Sequence, residues 1–511
     1  VYRFIIGVFL SALINAYAGD QVTIAISSAP NNLVPFYSTD ANSQNINRLV
    51  HKALIDFNEE MQFQCRACSS FEERFEGDKQ ILKFHLKKDQ TFHDGTPVEA
   101  ADVVRSWEYY AKNRTIASTF ADSFENLREM RVLDKHTLEI VFSPFSLENA
   151  SNLGLLKIMK LKKTSGENLE PGDVIGCGDY YLDKISPLEI VVKPRDLSKN
   201  TFVFKVVKDE TTLALKLINK EIDLSVANMS PRKINWLREK ADQLQVWEIP
   251  SGNYQYMGMN FKRDKFNDLN VRKAISHLVP REDLLKYKLK NTAVLSSGMF
   301  SPAFAELYEK GTIDSYDPKA AETLLLAAGW KKNKKGILEK NGEIFDIDWK
   351  VSNNKSSIEV AEVMQHYLEK AGFRVNISIQ EWGTFMSSFK SGNFDIVVGQ
   401  WIGFTGPDMM KFVFHSKSTP PTGGNRTSYN NPKFDKVIDA AVTETNSVKR
   451  KQLYKQALDI INQDYAYINL WHPNIIWVGS RCLKNLTLEP TGGFYPLLNL
   501  QKSHEGNCAK H

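Results

Sequence analysis

The chain has 511 residues, too many for a single hydrophobic core, so two or three domains are expected. Hydrophobic residues at 42% and charged residues at 24% fit a globular protein in water. A net charge of +5 with no single basic stripe excludes the concentrated phosphate neutralisation that nucleic acid requires, so no nucleic-acid partner is expected.

Arg3, the apolar run from Phe4 to Ile14 and Ala16-Tyr17-Ala18 have the pattern of an export signal over residues 1–18, cleaved near Ala18. The apolar run is short for a bilayer span, and no later stretch is long and apolar enough for one. Gln21 to Ile26 alternates as a strand does, and Asn31, Asn32 and Pro35 break it into a loop. The five cysteines fit an oxidising compartment with few bridges. Cys65 and Cys68 form a lone C-x-x-C whose flanks lack an activating helix, so a structural bridge or free thiols are expected there. A Cys482–Cys508 bridge is a further expectation.

Ile81 to Leu86 alternates as a second strand and Asp94-Gly95 makes a turn. Thr96-Pro97-Val98-Glu99 has the form of a capping box, opening a helix with Val103, Trp107 and Tyr110 on its inner face. Lys331-Lys332-Asn333-Lys334-Lys335 is expected as a solvated loop ending at Gly336. Helices are predicted from Asp317-Pro318 to Gly329, from Ser357 to Gly372, and after Asn431-Pro432, with another over 448–462. Strands are predicted over 373–379 and 394–398. Helices alternating with strands in this way argue an α/β protein with mixed sheets.

Four segments carry a resemblance. The run from Phe84 to Val104 contains Phe92-His93-Asp94-Gly95-Thr96-Pro97 and Asp102-Val103. The others are Asn219-Lys220-Glu221-Ile222-Asp223, the run Phe266 to Ile275 with Val271-Arg272-Lys273-Ala274, and Asn425 to Asp435 with Tyr429-Asn430-Asn431-Pro432. In order and content they are similar to the extracellular solute-binding proteins of family 5, the peptide- and nickel-binding periplasmic components of ABC transporters. The resemblance implies a two-lobed α/β fold of the periplasmic-binding-protein kind (type II, cluster C), with an extra domain inserted in the N-terminal lobe. Its expected bounds are 19–48, 183–259 and 470–511 for lobe I, 49–182 for the inserted domain and 260–469 for lobe II.

The same resemblance implies a periplasmic, monomeric protein that captures a peptide or peptide-like solute between its lobes by hinge closure and hands it to an inner-membrane permease. Trp382 and Trp401 have the spacing of two cleft tryptophans in an oligopeptide binder of the family; ordinary core positions are the alternative. Peptide binders often carry an aspartate three residues after the second tryptophan, where it pairs with a free amino terminus. Here that residue is Phe404, which cannot neutralise an ammonium. Asp408 is a shifted replacement or a plain turn residue. Arg426 has the fork geometry to clasp a carboxylate, or is a surface arginine in a Gly-rich loop. Asn228 resembles a cleft asparagine, and Asn31 and Asn32 border the first strand's end or simply make its turn.

No protease, phosphate-loop or dinucleotide motif is present, so neither an enzyme nor a bound cofactor is expected. Cys177, His85 and His93 are expected as structural or surface groups. A nickel or other metal chelate, approached by His472, an oligosaccharide, or a sensing role without transport are the competing expectations.

Overall fold

Val22, Thr23, Ile24 and Ile26 supply the β-branched residues that suit Gln21–Ile26 (β1) to a pleated sheet. The computed structural model describes residues 19–112, 122–162, 169–227, 229–308, 310–403 and 406–503. The expected export signal, Asn228, Phe404 and Cys508 lie outside the described residues. The chain divides into two units, one of Val1–Ile249 with Ile475–His511 and one of Pro250–Asn474.

In the first unit, α1 (Ala41–Val50) is capped by Asp40, whose side chain accepts from the Ser43 amide. Strands β2 (Cys68–Glu76), β3 (Lys79–Leu86), β4 (Leu127–Asp134) and β5 (Thr137–Phe142) form an antiparallel sheet in the order β2-β3-β5-β4. The helix α2 (Ala100–Lys112) packs Val103 and Tyr110 into the same core as Phe84, Leu138 and Ile140. A second sheet runs β6 (Tyr180–Ile185), β7 (Glu189–Pro194), β8 (Thr201–Val206), β1, β9 (Leu224–Ser225), then residues 478–479 of a long late strand. β1 is parallel to both β8 and β9.

One local expectation is corrected. Thr96 does not cap the helix: its hydroxyl donates to Asp94, and Pro97 bridges to Thr91. The Val98 amide donates to the Gln90 carbonyl, so these residues belong to a folded-back turn. The helix starts at Ala100, and Asp102 accepts from the Glu99 amide. Cys65 and Cys68 are bridged, and Cys482 also takes part in a disulfide. Cys177 is buried and free, and burial pushes its thiol up to about 11.

The second unit is built on β10 (Tyr254–Met259), β11 (Asp346–Ser352), β12 (Arg374–Gln380), β13 (Ile396–Trp401) and the first half of β14 (Ile468–Ser480). Their order is β14-β10-β13-β11-β12. β11 is parallel to both neighbours, whereas β10 is antiparallel to both of its own. Besides the helix Leu269–His277, its helices include α3 (Pro318–Ala327), capped by Asp317, α4 (Lys355–Ala371), α5 (Trp382–Ser391) and α6 (Met409–Phe414). After them come α7 (Pro432–Thr443) and α8 (Ser447–Gln463). Gly372, at φ 106, closes α4 in the left-handed region that favours glycine. Trp349, Trp471 and Phe345 lie at the centre of this unit's core.

Candidate functional site

Because β11, β12 and β13 run the same way, their carboxyl ends share one edge of the second unit's sheet. The first residue of β10, Tyr254, is paired with Trp401 there. In open α/β sheets, ligands gather outside the carboxyl ends of parallel strands. Trp401 is the last residue of β13, and Trp382 is the first of α5, two positions after β12 ends at Gln380.

The two tryptophans are placed differently. Trp401 is 8% exposed; Trp382 is 60% exposed. Trp401 stacks on Tyr256 with ring centroids 6.3 Å apart, and Tyr256 stacks on Tyr467 at 3.8 Å. Burial pushes the Tyr467 phenol up to about 12. A side chain on Gly399 would come within 2.6 Å of the Tyr256 hydroxyl, so glycine at that position lets the tyrosine lie flat along the strand. Trp382 leans on Phe385 at 5.9 Å, and Phe385 on Phe389 at 5.9 Å, a run set by the i, i+3 and i, i+4 spacings of α5. The Glu381 carboxylate caps that helix by accepting from the Gly383 amide.

Arg426 joins the two groups. Its guanidinium carbon lies 4.8 Å from the Trp401 ring centroid and 4.9 Å from that of Phe389, within cation–π range of both. Among the described residues it has neither a carboxylate nor any side-chain hydrogen-bond partner, and it is half-buried. The loop beneath it is fixed by Asn425, whose buried side chain donates to the His415 and Tyr429 carbonyls and accepts from the Tyr429 amide. Gly424 passes so close to Phe412 and Trp401 that an added Cβ would lie 2.6 Å and 2.9 Å from ring atoms. The result is a planar cation held against two aromatic faces with its hydrogen-bonding edge uncommitted, a geometry suited to a carboxylate.

The remaining candidates have partners of their own. Asp408 is buried and accepts a hydrogen bond from the Tyr454 hydroxyl. In the first unit, Asn31 and Asn32 lie in the loop after the carboxyl end of β1. The Asn31 side chain donates to Thr39 and accepts from Ser43, and Asn32 Oδ1 accepts from the Val34 amide. Both asparagines are thus engaged in shaping that loop. His472 is buried in β14 with Nδ1 2.9 Å from the Asn253 carbonyl, and burial lowers its pKa to about 4. Phe389 is not marked out by any motif in the sequence, although the Phe385–Phe389 spacing is a visible helical signal.

Comparison with known proteins agrees with this architecture. The family of bacterial extracellular solute-binding proteins, family 5 Middle, matches residues 72–423. The oligopeptide-binding protein AppA of Bacillus subtilis is 26% identical over 496 residues, covering 89% of this chain and 87% of AppA. Its structure in complex with a nonapeptide is similar with a TM-score of 0.71, covering 95% of this chain and 99% of that one at 23% identity. The periplasmic murein peptide-binding protein MppA of Escherichia coli is 26% identical over 429 residues, 76% of each chain. NikZ of Campylobacter jejuni, solved in complex with Ni(L-His), has a TM-score of 0.73 at 24% identity, with 94% of this chain and 99% of that one covered. Among the described residues, no helix is long and apolar enough to cross a membrane. The chain belongs to the bacterial extracellular solute-binding proteins of family 5.

Proposed function

We propose that this protein is the exported, periplasmic solute-binding component of an ABC importer. Its two units close on a peptide or peptide-like solute bearing a carboxylate and deliver it unaltered to an inner-membrane permease. The observation that carries the reading is the Arg426 guanidinium, without a carboxylate partner among the described residues and stacked on Trp401 and Phe389 at the carboxyl edge of the parallel strands. A carboxylate meeting it gains two parallel charge-assisted hydrogen bonds, while the aromatic faces cover the solute's apolar parts. Trp382, exposed two positions beyond β12, supplies a further ring for a solute side chain. Relatives named for oligopeptide and murein peptide binding support the peptide class.

Asp408 is buried against the Tyr454 hydroxyl, so the reading rests on Arg426 and not on an aspartate that would meet a ligand ammonium. The solute is therefore read by its acidic end, and a blocked or cyclic peptide fits as well as a free one. A metal chelate is the second reading, because its carboxylates would suit Arg426 equally and NikZ was solved with one.

Native mass spectrometry of the purified protein, with release and identification of any retained molecule, tests the proposal. A carboxylate-bearing peptide is the expected finding. A nickel chelate would favour the second reading, and turnover of an added peptide would overturn both.

A further inference from the structure

A groove on the second unit, away from Trp401 and Arg426 in sequence and lining, has no place in the function above. It encloses about 380 Å³ between α3, the residues on either side of that helix and the end of α4. Its floor is apolar: Leu278, Leu325, Trp330 and Leu338 are all buried core residues that reach its surface. Tyr316 and Tyr367 form one wall, edge to face at 4.9 Å. Leu326, 50% exposed, forms part of its lip.

Three lysines from three different elements converge on this apolar hollow: Lys319 from α3, Lys332 from the hairpin after it and Lys370 from the last turn of α4. Among the described residues none of the three has an ion-pair partner, and Glu322 is the single acid in the lining. Lys331 and Lys332 form a strand paired with Leu338 and Glu339, so the lysine run expected as a loop is a tight hairpin. Asn333 fixes its turn by accepting from the Lys335 and Ile337 amides. The hairpin is also joined to α4, because the Leu338 amide donates to the Gly372 carbonyl at 2.8 Å. Gly372 lacks the Cβ that would lie 2.8 Å from the Gly336 carbonyl, which lets the two walls meet.

We propose that this groove is a second binding site, for an amphipathic organic anion: an apolar body on the leucine and tryptophan floor, and an anionic head among Lys319, Lys332 and Lys370. The volume lies within the roughly 300–1,000 Å³ of small-molecule sites, and an apolar floor with a few convergent polar groups is their usual lining. Net positive charge at the rim selects the sign of the head, and the single acid is too little to cancel it.

Decanoate is the probe, added to the full-length protein and followed by isothermal titration calorimetry, with decanol as the uncharged counterpart. The expected result is saturable binding of one decanoate per chain, with decanol weaker by about tenfold or more. The exposed triple variant Lys319→Gln, Lys332→Gln and Lys370→Gln should weaken decanoate about tenfold while circular dichroism stays unchanged. Leu326→Asp, also exposed, should weaken it independently of the lysines. Absence of saturable binding, equal binding of decanol, or wild-type affinity in both variants overturns the proposal. Loss of decanoate binding in Arg426→Gln would place the probe at the strand edge and overturn it too, whatever the solute of that edge proves to be.

Discussion

Arg426 lies over the Trp401 ring at 4.8 Å, and among the described residues no carboxylate neutralises it. A half-buried guanidinium retained without a counter-ion has lost part of its hydration and regains little from the rings alone. An incoming carboxylate would supply the missing partner in the fork geometry that arginine presents and lysine does not.

Arg426→Gln should therefore weaken a carboxylate-bearing solute by about 1.5–3 kcal/mol, the worth of a hydrogen bond to a charged group. Arg426→Lys should recover only part of this, because an ammonium keeps the charge but loses the planar stack. Trp401→Ala should cost about 2 kcal/mol or more if the ring is a buried anchor. Calorimetry with the identified solute measures each, with circular dichroism as the fold control. Full affinity in Arg426→Gln would remove the guanidinium from solute recognition.

Gly424→Ala should disturb the same edge from behind. Its Cβ would lie 2.6 Å from a Phe412 ring atom and 2.9 Å from the Trp401 ring, so one ring must move. Overpacking of this kind destabilises by about 1–3 kcal/mol. Gly406→Ala meets nothing within 4 Å and should be close to neutral. Urea denaturation of the two variants compares them directly, and equal stability would mean that the Phe412–Trp401 contact yields freely.

The helix boundaries in the second unit were legible because their signals are local. Asp317 accepts from the Lys319 and Ala320 amides of its own helix, and Gly372 closes α4 through its own φ. Thr96 misled because its competitor is not local: Pro97 and Val98 are drawn back to Thr91 and Gln90, which delays the helix. The two tryptophans looked alike in sequence, each beside the end of a strand. Burial of Trp401 comes from Tyr256 and the Gly424 loop, whereas Trp382, beside Phe385, stays 60% exposed. That Arg426 spans Trp401 and Phe389 depends on three separate segments meeting, which spacing along the chain does not encode.

Two buried histidines should make the protein acid-sensitive. Burial lowers His51 to about 3, with His93 and Lys157 adding repulsion, and lowers His472 to about 4. Both stay neutral in the folded protein while the unfolded chain takes up protons near pH 6.5. The unfolded state thus binds more protons below about 6.5, and stability falls as pH drops from there toward 4. Each histidine contributes a slope of up to about 1.4 kcal/mol per pH unit. Urea melts across that window should show His472→Gln flattening the acid loss. An unchanged slope in the variant would mean that His472 takes up its proton without unfolding.

Glu489 should act with the opposite sign. It is buried in the first unit, 3.6 Å from Arg66, and burial raises its carboxyl to about 7 even though Arg48 and Arg66 both pull it down. The two arginines are already engaged: Arg48 pairs with Asp56 at 3.2 Å, and Arg66 lies 3.6 Å from the Tyr495 ring centroid. Tyr495 in turn donates to Asp56, so the cations are shared and the desolvation of Glu489 is only partly offset. Between about 4.5 and 7 the unfolded chain releases this proton and the folded protein keeps it. Folding then binds more protons, and this group's contribution falls as pH rises through that window, by up to about 3 kcal/mol. Glu489→Gln keeps the shape without the titration, so its stability relative to wild type should improve between pH 4.5 and 7.5. A difference that stays constant over that range would mean that Arg66 and Arg48 outweigh burial and hold the carboxylate ionised throughout.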